Sequence, residues 1–402
     1  MRDLKLLVFS PYFPPHVGGL EGYVSDLDQA MLDSGEVSAL TVLTPRLPPE
    51  SPAIERRADG HVIVRYPAFE LIPNFPVPKL WSRGFWASLR SAGPAQHDLF
   101  VSHTRFFLSS TLALACARIL GRPLLHVEHG SDFVQLSGRA QRAAARLYDL
   151  LLGRLLLRRA DGVIAISSAA AAFVKRLANR DAQVVYRGMW TERLASVALD
   201  RHVLDWADGR VVVTFAGRLI DGKGVPDLLN AFARLDGDGA VLCVVGDGPR
   251  RGDIESLADT LGVAERVLML GYLSEDRAWS VIRSSDIVAN PSYTEGLPTS
   301  VLEAALLRKA VLASDVGGTP EIVTDGEGGL LFAPRDLDAL HAALARLVDD
   351  AELRARLGAA ARSEAAGRFD WGLSAARFAG IARELTSRSS AGPVRRLVRR
   401  AR

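Results

Sequence analysis

The chain has 402 residues, 48% hydrophobic and 24% charged, with a formal net charge of +3. Single cores stop growing at about 250–300 residues, so two domains are expected. The two cysteines, Cys116 and Cys243, lie far apart in apolar segments, which excludes a disulfide framework or a cysteine zinc site and points to a reducing, cytoplasmic compartment. No stretch of about 20 residues is apolar without charge, which excludes a spanning helix.

The apolar run in MRDLKLLVFSPYFPP is too short for a signal peptide and looks like a first strand. Further strands are expected at 39–44, 61–66, 98–103, 123–128, 162–167 and 183–186, after a first at 5–10. Helical patterns fall between them, as at 20–34 and 108–120. The second half repeats the scheme, with strands at 210–216, 240–246, 267–270, 286–290, 310–314 and 329–332. Its helices are expected at 224–235, 253–261, 274–283, 298–307 and 337–349. Apolar strands without alternation, separated by helices, predict an α/β fold of two doubly wound, Rossmann-like parallel sheets facing across a cleft. Such a cleft is a preferred place for a ligand.

The domains are expected at 1–195 and 208–365, because 189–208 shows no clear strand. A helix over 371–387, within a segment 366–388, is expected to pack back across the cleft. The tail 389–402 is expected to be disordered. Charge is uneven: residues 1–205 carry 24 basic and 19 acidic side chains, 206–387 carry 19 and 27, and the last 15 residues carry six arginines and no acid. The basic first half favours contact with an anionic surface or acceptor.

Several strand-to-helix loops carry chemistry. In PPHVGGLEG (14–22), Gly18 and Gly19 let the backbone approach a ligand before a helix starts; a simple turn explains the motif equally well. In LHVEHGSDF (125–133), His129 and Asp132 fall in an exposed loop, where a histidine suits a sugar hydroxyl or a reacting carbon. His126 lies within the strand and fits a satisfied core histidine. In FAGRLIDGKGVP (215–226), Arg218 supplies a rigid bidentate donor and Lys223 a mobile ammonium, a pair that suits a diphosphate. VVGDGPRR (244–251) makes a tight, mainly structural turn. In VGGTPE (316–321), Gly317 and Gly318 again permit close backbone approach.

The segment 290–309, NPSYTEGLPTSVLEAALLRK, carries two carboxylates beside a mostly apolar helix. Pro298 suits the first helical position, and the helix start favours phosphate or sugar oxygens. By themselves Glu295 and Glu303 are equally well explained as a carboxylate favouring the helix dipole and a satisfied buried glutamate. Residues 71–89 combine Phe75, Trp81, Phe85 and Trp86 with prolines and bases, as an exposed aromatic insertion. Residues 139–159 hold six arginines among leucines at helical spacing, a pattern of membrane-surface helices and equally of a core helix with a solvated basic face.

The order GGLEGYV, HG-x-D, GRL-x₃-KG, VGDGP, EGLPTSVLEA, SDVGGTPEIV and a late FDW (369–371) resembles glycosyltransferase family 4, whose members are retaining enzymes of the GT-B fold. The resemblance runs from the first strand to the C-terminal helix and is most specific over 218–322. It implies that Arg218 and Lys223 hold the diphosphate of a nucleotide-sugar. It implies that Glu303 binds the ribose hydroxyls and that Glu295 faces the donor sugar, with backbone groups of Gly296, Leu297 and Pro298. Gly18 and Gly19 would approach the diphosphate, His129 would contact the donor sugar, and backbone around Gly271 and Tyr272 would hold the base. Where the family often has Asn-Gly-Val-Asp, this chain has YRGMW (186–190), so no role is carried over for the missing asparagine.

The expected function is retaining transfer of a sugar from a nucleotide-diphosphate-sugar to a glycan, with catalysis by Arg218, Lys223, Glu295 and His129. No D-x-D motif stands out, so transfer without a metal is expected, and no cofactor beyond the nucleotide-sugar, which is a substrate. The acceptor is expected to be lipid-linked and the protein peripheral on the inner face of the cell membrane. A nucleotide-sugar binding or epimerising protein of the same fold is the alternative. Nucleic-acid binding has no reader motif behind it.

Overall fold

Valine, leucine and isoleucine cluster in short runs that are apolar on both faces, and these become parallel strands covered by helices on each side. The computed structural model describes residues 4–16, 18–58, 60–72, 75–134 and 138–398. The chain forms two units. The first takes the described residues up to Val134, Gly138–Gly188 and those from Asp370 onward; the second takes Met189–Phe369.

In the first unit the strands are β1 (Lys5–Phe9), β2 (Ala39–Pro45), β3 (Ile54–Arg56), β4 (His61–Tyr66), β7 (Leu99–His103), β8 (Leu124–Glu128), β9 (Gly162–Ala165) and β10 (Gln183–Val184), with a separate hairpin of β5 (Ala68–Ile72) and β6 (Phe75–Pro78). Their order across the main sheet is β10-β9-β8-β7-β1-β2-β4-β3. Pairing is parallel except at the β3 edge. Phe9, Tyr66, Phe85, Phe100 and Phe173 fill the core on one face.

In the second unit β11 (Val211–Ala216), β12 (Ala240–Val245), β13 (Val267–Gly271), β14 (Ile287–Asn290), β15 (Ala310–Ser314) and β16 (Gly329–Phe332) pair in the order β13-β12-β11-β14-β15-β16. Numbered from β11 as one, this is the 3-2-1-4-5-6 order of a dinucleotide-binding sheet. The chain therefore switches direction between β11 and β14, and loops leaving their carboxyl ends diverge around a crevice.

All thirteen expected strands form; the antiparallel edge strand β3 and the β5–β6 hairpin were not expected, and three further departures are seen. The insertion expected at 71–89 is spanned by the β5–β6 hairpin, which begins at Ala68, and a helix, Arg83–Ser91, which runs two residues beyond it. Phe85 on that helix is buried against Tyr66, because one turn of the helix must cover β4; Trp81 and Trp86 remain 74% and 51% exposed. The break expected at 189–208 holds two short helices, Thr191–Ser196 and Arg201–Ala207. The first belongs to the second unit because Arg193 pairs with Glu275 and Asp276 at 2.9 and 2.7 Å. The boundary thus falls at Gly188, before residue 195. The C-terminal helix, expected to end at 387, runs over Trp371–Val398; residues 399–402 of the expected tail lie outside the described residues. Within its unit this helix packs on the Gly19–Asp33 helix.

Gly224 is where the β11 loop meets the β14 loop. Its φ is +67°, and a Cβ there would lie 2.0 Å from the Pro291 carbonyl oxygen. Gly209 has a similar φ of +78° with open space around it. Gly209→Ala should cost about 1 kcal/mol from backbone strain alone, and Gly224→Ala at least ~2–3 kcal/mol because the clash adds to that strain. Urea midpoints of the two variants decide this; equal midpoints would contradict the close approach.

Candidate functional site

In the second unit the loop 217–224 leaves β11 and the loop 291–298 leaves β14. They are adjacent because the parent strands pair in register, Val213 beside Ile287 and Thr214 beside Val288. The join is reinforced by Thr214 Oγ1 to Ser285 Oγ at 2.6 Å and by the Val212 amide donating to Asp286 at 2.8 Å. Beyond the strands the Tyr293 amide donates to the Gly222 carbonyl at 2.8 Å. The result is that Lys223 Nζ donates to Glu295 Oε1 at 2.6 Å. Sequence reasoning assigned these two residues to one site without expecting them to touch. Glu295 is nearly buried, with 11% of its side chain exposed, and Lys223 is at 26%.

Arg218 stands exposed on the β11 loop. The VGDGP turn shapes that loop from beneath. The Leu219 amide donates to the Asp247 carbonyl and the Arg250 amide to the Leu219 carbonyl, both at 3.0 Å. At Gly246, φ +129°, a Cβ would sit 1.9 Å from the Gly217 carbonyl oxygen, so no larger residue fits beneath the Arg218 loop.

After β14 the helix spans Thr299–Leu306, with Pro298 as its N-cap in extended conformation, φ −71° and ψ 116°. Pro298, expected as the first helical residue, thus lies one position before it, since the preceding loop is held by the Gly318 amide donating to the Gly296 carbonyl at 3.1 Å. That bond also gives the VGGTPE motif its place, against the Gly296 loop. Leu297 is buried. Glu303 is half-buried on the helix, and Asn290 at the end of β14 ties to Ser300 at 3.1 Å. Gly271 ends β13 with φ +66°, and Tyr272 after it is 60% exposed. Arg218, Lys223, Glu295, Gly296, Leu297, Pro298, Gly271 and Tyr272 therefore all lie at or just beyond strand carboxyl ends in one unit.

Gly18, Gly19 and His129 belong to the first unit, again after strand carboxyl ends, those of β1 and β8. Gly18 caps the Gly19–Asp33 helix. A Cβ on Gly18 would strike the Glu21 carboxylate at 2.5 Å, whereas Gly19 opens on empty space. Glu21 in turn pairs with His16. Arg187, within the YRGMW segment (186–190), donates to the Gly19 carbonyl at 3.0 Å and stands 3.6 Å from Asp26. It steadies the glycine loop from within the unit.

His129 sits between other rings. Tyr23 from the first helix meets it edge-on at 4.6 Å, and His103 Nδ1 lies 3.2 Å from His129 Nε2. Burial pushes the His129 imidazole down to about 3, against the opposing pull of Glu128. Burial, with His129 and His126 beside it, holds His103 well below the ordinary imidazole value. Both rings are therefore neutral near pH 7, and His129 acts as a hydrogen-bonding group rather than a cation. His126 is the core histidine expected, bound to Ser102 at 2.9 Å.

Three residues that sequence reasoning missed lie behind His129. Glu128 Oε1 accepts the amides of His129 and Gly130 at 3.0 and 2.8 Å, and Arg105 donates to it at 2.8 Å. Burial alone would raise the Glu128 carboxyl, but Arg105, His126 and the Gly130 amide bring it down to about 2. Arg105 also donates to Asp149 at 3.0 Å. The available signal was a glutamate closing an otherwise apolar strand, directly before the loop histidine.

Residues 197–364 match the family model described as Glycosyl transferases group 1, and residues 17–193 the one described as Glycosyltransferase Family 4. An uncharacterized glycosyltransferase of Methanocaldococcus jannaschii is 31% identical, over 92% of this chain and 96% of its own length. The GDP-mannose-dependent alpha-(1-6)-phosphatidylinositol monomannoside mannosyltransferase of Mycobacterium tuberculosis is 27% identical, over 94% of this chain and 98% of its own. Among solved structures, sucrose-phosphate synthase of Thermosynechococcus elongatus superposes with a TM-score of 0.81 at 23% identity, covering 96% of this chain and 100% of that one. Anabaena HepE in complex with UDP-glucose gives 0.72 at 20% identity, covering 94% and 99%. At these identities the structures show the fold, two Rossmann-like domains of the GT-B type.

The depressed histidines carry a pH signature. Their folded values lie below the unfolded value of about 6.5, so the unfolded chain takes up protons first. Their stabilisation is complete above about pH 6.5 and is lost as pH falls toward the folded values. Glu128 contributes in a lower window, lost as pH falls from about 4.5 toward 2. Replacing His103 by Gln should therefore flatten the fall in stability as pH drops below about 6.5. Urea denaturation at three pH values measures it; parallel curves for wild type and variant would refute a neutral His103.

Proposed function

The chain belongs to glycosyltransferase family 4, and on that premise we propose that it is a retaining transferase. It moves a sugar from a nucleotide-diphosphate-sugar to a glycan acceptor carried on a lipid at the inner face of the cell membrane. The observation that carries this is the contact of Lys223 with Glu295 at 2.6 Å, at the switch point of the second sheet. A cation for phosphate and a carboxylate for sugar hydroxyls are held together there before any ligand arrives.

Breaking a glycosyl–phosphate bond puts negative charge on the leaving diphosphate and positive charge on the sugar. Arg218, Lys223 and the amides at the start of the Thr299–Leu306 helix stabilise the first as preorganised electrostatics, without a metal. Glu303 takes the ribose hydroxyls, and the backbone at Gly271 and Tyr272 the base. Glu295, through its remaining acceptor capacity, takes hydroxyls of the donor sugar. From the first unit, the Gly18–Gly19 backbone serves the phosphate and the neutral His129 imidazole a sugar hydroxyl. In the transfer, the bond from C1 to the phosphate oxygen breaks with its electron pair leaving on the diphosphate. The acceptor hydroxyl oxygen bonds C1 from the same face and its proton passes to the leaving phosphate oxygen.

The names of two relatives support a nucleotide-sugar donor: HepE is seen with UDP-glucose and the mycobacterial enzyme is GDP-mannose-dependent. The acceptor assignment rests on the surface of the first unit. Leu147, Leu150, Leu151 and Leu155 are exposed, and so are the six arginines from Arg139 to Arg159. Apolar side chains flanked by arginines suit an anionic lipid interface. No helix among the described residues is long and apolar enough to cross a membrane.

Thermal shift against UDP-, GDP- and dTDP-sugars should single out one donor base, since a ligand of the folded state raises stability by mass action. With that donor, Arg218→Ala should lower transfer by about 100-fold or more; turnover near wild type would sink the diphosphate role. Release of free or epimerised sugar with no acceptor product would favour a nucleotide-sugar-processing protein instead.

Sedimentation with vesicles containing phosphatidylserine should carry the protein down at low salt and lose it at high salt. Replacing Leu150 and Leu151 by Ser should weaken that binding several-fold. No binding at low salt would remove the lipid part of the proposal.

A further inference from the structure

Behind the His129 loop lie three charged side chains with almost no solvent contact: Arg105, Glu128 and Asp149. They come from separate places, the end of β7, the end of β8, and a π-helical turn, Asp149–Gly153, between the helices Arg139–Tyr148 and Arg154–Arg159. Burying three charges is costly and is weak evidence for stability. Their hydrogen bonds indicate another use.

Glu128 Oε1 accepts the two successive amides of His129 and Gly130. Arg105 donates through one nitrogen to Glu128 and through the other to both the Asp132 carbonyl at 2.9 Å and Asp149 Oδ2 at 3.0 Å. The network therefore grips both ends of the loop 129–132 by its backbone. The guanidinium is also packed over the Phe173 ring at 4.2 Å. Two glycines keep the passage open. A Cβ on Gly130 would lie 2.9 Å from an Arg105 nitrogen, and one on Gly153 would lie 3.2 Å from Asp149 Oδ1. The widened π-helical turn places Asp149 at Arg105, and such turns recur at functional sites.

We propose that Asp149, Arg105 and Glu128 form a buried positioning relay that fixes the backbone of residues 129–132, and with it the His129 ring, for sugar transfer. Its catalytic half rests on the assignment of His129 to the donor sugar. Glu128 orders the first two amides, Arg105 ties them to the far end of the loop, and Asp149 orients Arg105. The three are positioning residues. The planar fork of arginine is required, because one lysine ammonium does not hold two carboxylates and a carbonyl in a fixed plane. The segment that supplies Asp149 is also the one with exposed arginines and leucines, so the loop is tied to that surface element through Asp149 and Arg105, and Phe133 beside the loop through Arg146, 5.0 Å over its ring.

The test uses the full chain with Asp149→Asn, Arg105→Lys and Glu128→Gln, and Val163→Ala as a core truncation on β9 that leaves the relay intact. Hydrogen exchange of peptides covering 129–133 should speed by about 10-fold in Asp149→Asn and Arg105→Lys, with little change in β11 or β14. Turnover is measured as nucleotide release from whichever of UDP-glucose, GDP-mannose and dTDP-glucose gives the largest thermal shift. The relay variants should lose about 10-fold in kcat with donor KM within about 2-fold. Unchanged exchange in the 129–133 peptides, or kcat losses no greater than in Val163→Ala, would overturn the relay. If His129→Ala turns over like wild type while exchange responds, the sugar role of His129 and the catalytic half of the relay fall, and loop positioning stands. Should Glu128→Gln not fold, Asp149→Asn, which keeps an oxygen facing Arg105, decides the matter.

Discussion

Parallel pairing of β11 with β14 is the constraint on which the second unit's site depends. The two strands are neighbours in space although about 70 residues of chain, including β12 and β13, lie between them. Parallel pairing brings their carboxyl ends out together. The contacts between the two loops follow from this: Lys223 reaches Glu295, Tyr293 bonds Gly222, and Gly224 lies against Pro291. A charge-assisted hydrogen bond such as Lys223–Glu295 contributes ~2 kcal/mol, small beside the hydrophobic burial in the sheet. The sheet therefore positions the ion pair, and the ion pair does not hold the sheet.

Periodicity made the sheets legible. Three strands, β4, β15 and β16, have the expected ends, and most of the others start or stop within a residue or two. Buried parallel strands are short apolar runs bounded by glycine and polar residues, so their signal is local. The features that were not legible depend on distant partners. Phe85 looked like its exposed neighbours Trp81 and Trp86, and only the packing of its helix on β4 separates them. Thr191–Ser196 joins the second unit through Arg193, whose partners lie more than 80 residues away. The site residues split in the same way. The loop positions of Arg218, Lys223, Glu295 and His129 followed from strand-to-helix punctuation. The contact between Lys223 and Glu295, and the grip of Glu128 on the His129 loop, required the fold.

The first unit solves a different electrostatic problem. His129 lies next to a carboxylate that favours its protonation, yet burial dominates and leaves it neutral. Arg105 is what makes this possible. By compensating Glu128, the guanidinium lets that carboxylate stay ionised among three histidines. Glu128 is then a strong acceptor for two loop amides while the imidazole keeps one donor and one acceptor nitrogen. The same charges, unpaired, would each be costly in such surroundings.

The loops of the two units differ in how they carry charge. The cations given to phosphate, Arg218 and Lys223, are on partly exposed loops, Lys223 paired with Glu295. The groups given to sugar in the first unit are a neutral ring and glycine backbone, with the nearby charges compensated inside the core. A developing positive charge on a sugar would be opposed by an imidazolium at His129 and is not opposed by the neutral ring. Burial at His129 is therefore more than a consequence of packing. It fixes the ring as a neutral group with one donor and one acceptor nitrogen, a state that the compensation of Glu128 by Arg105 permits.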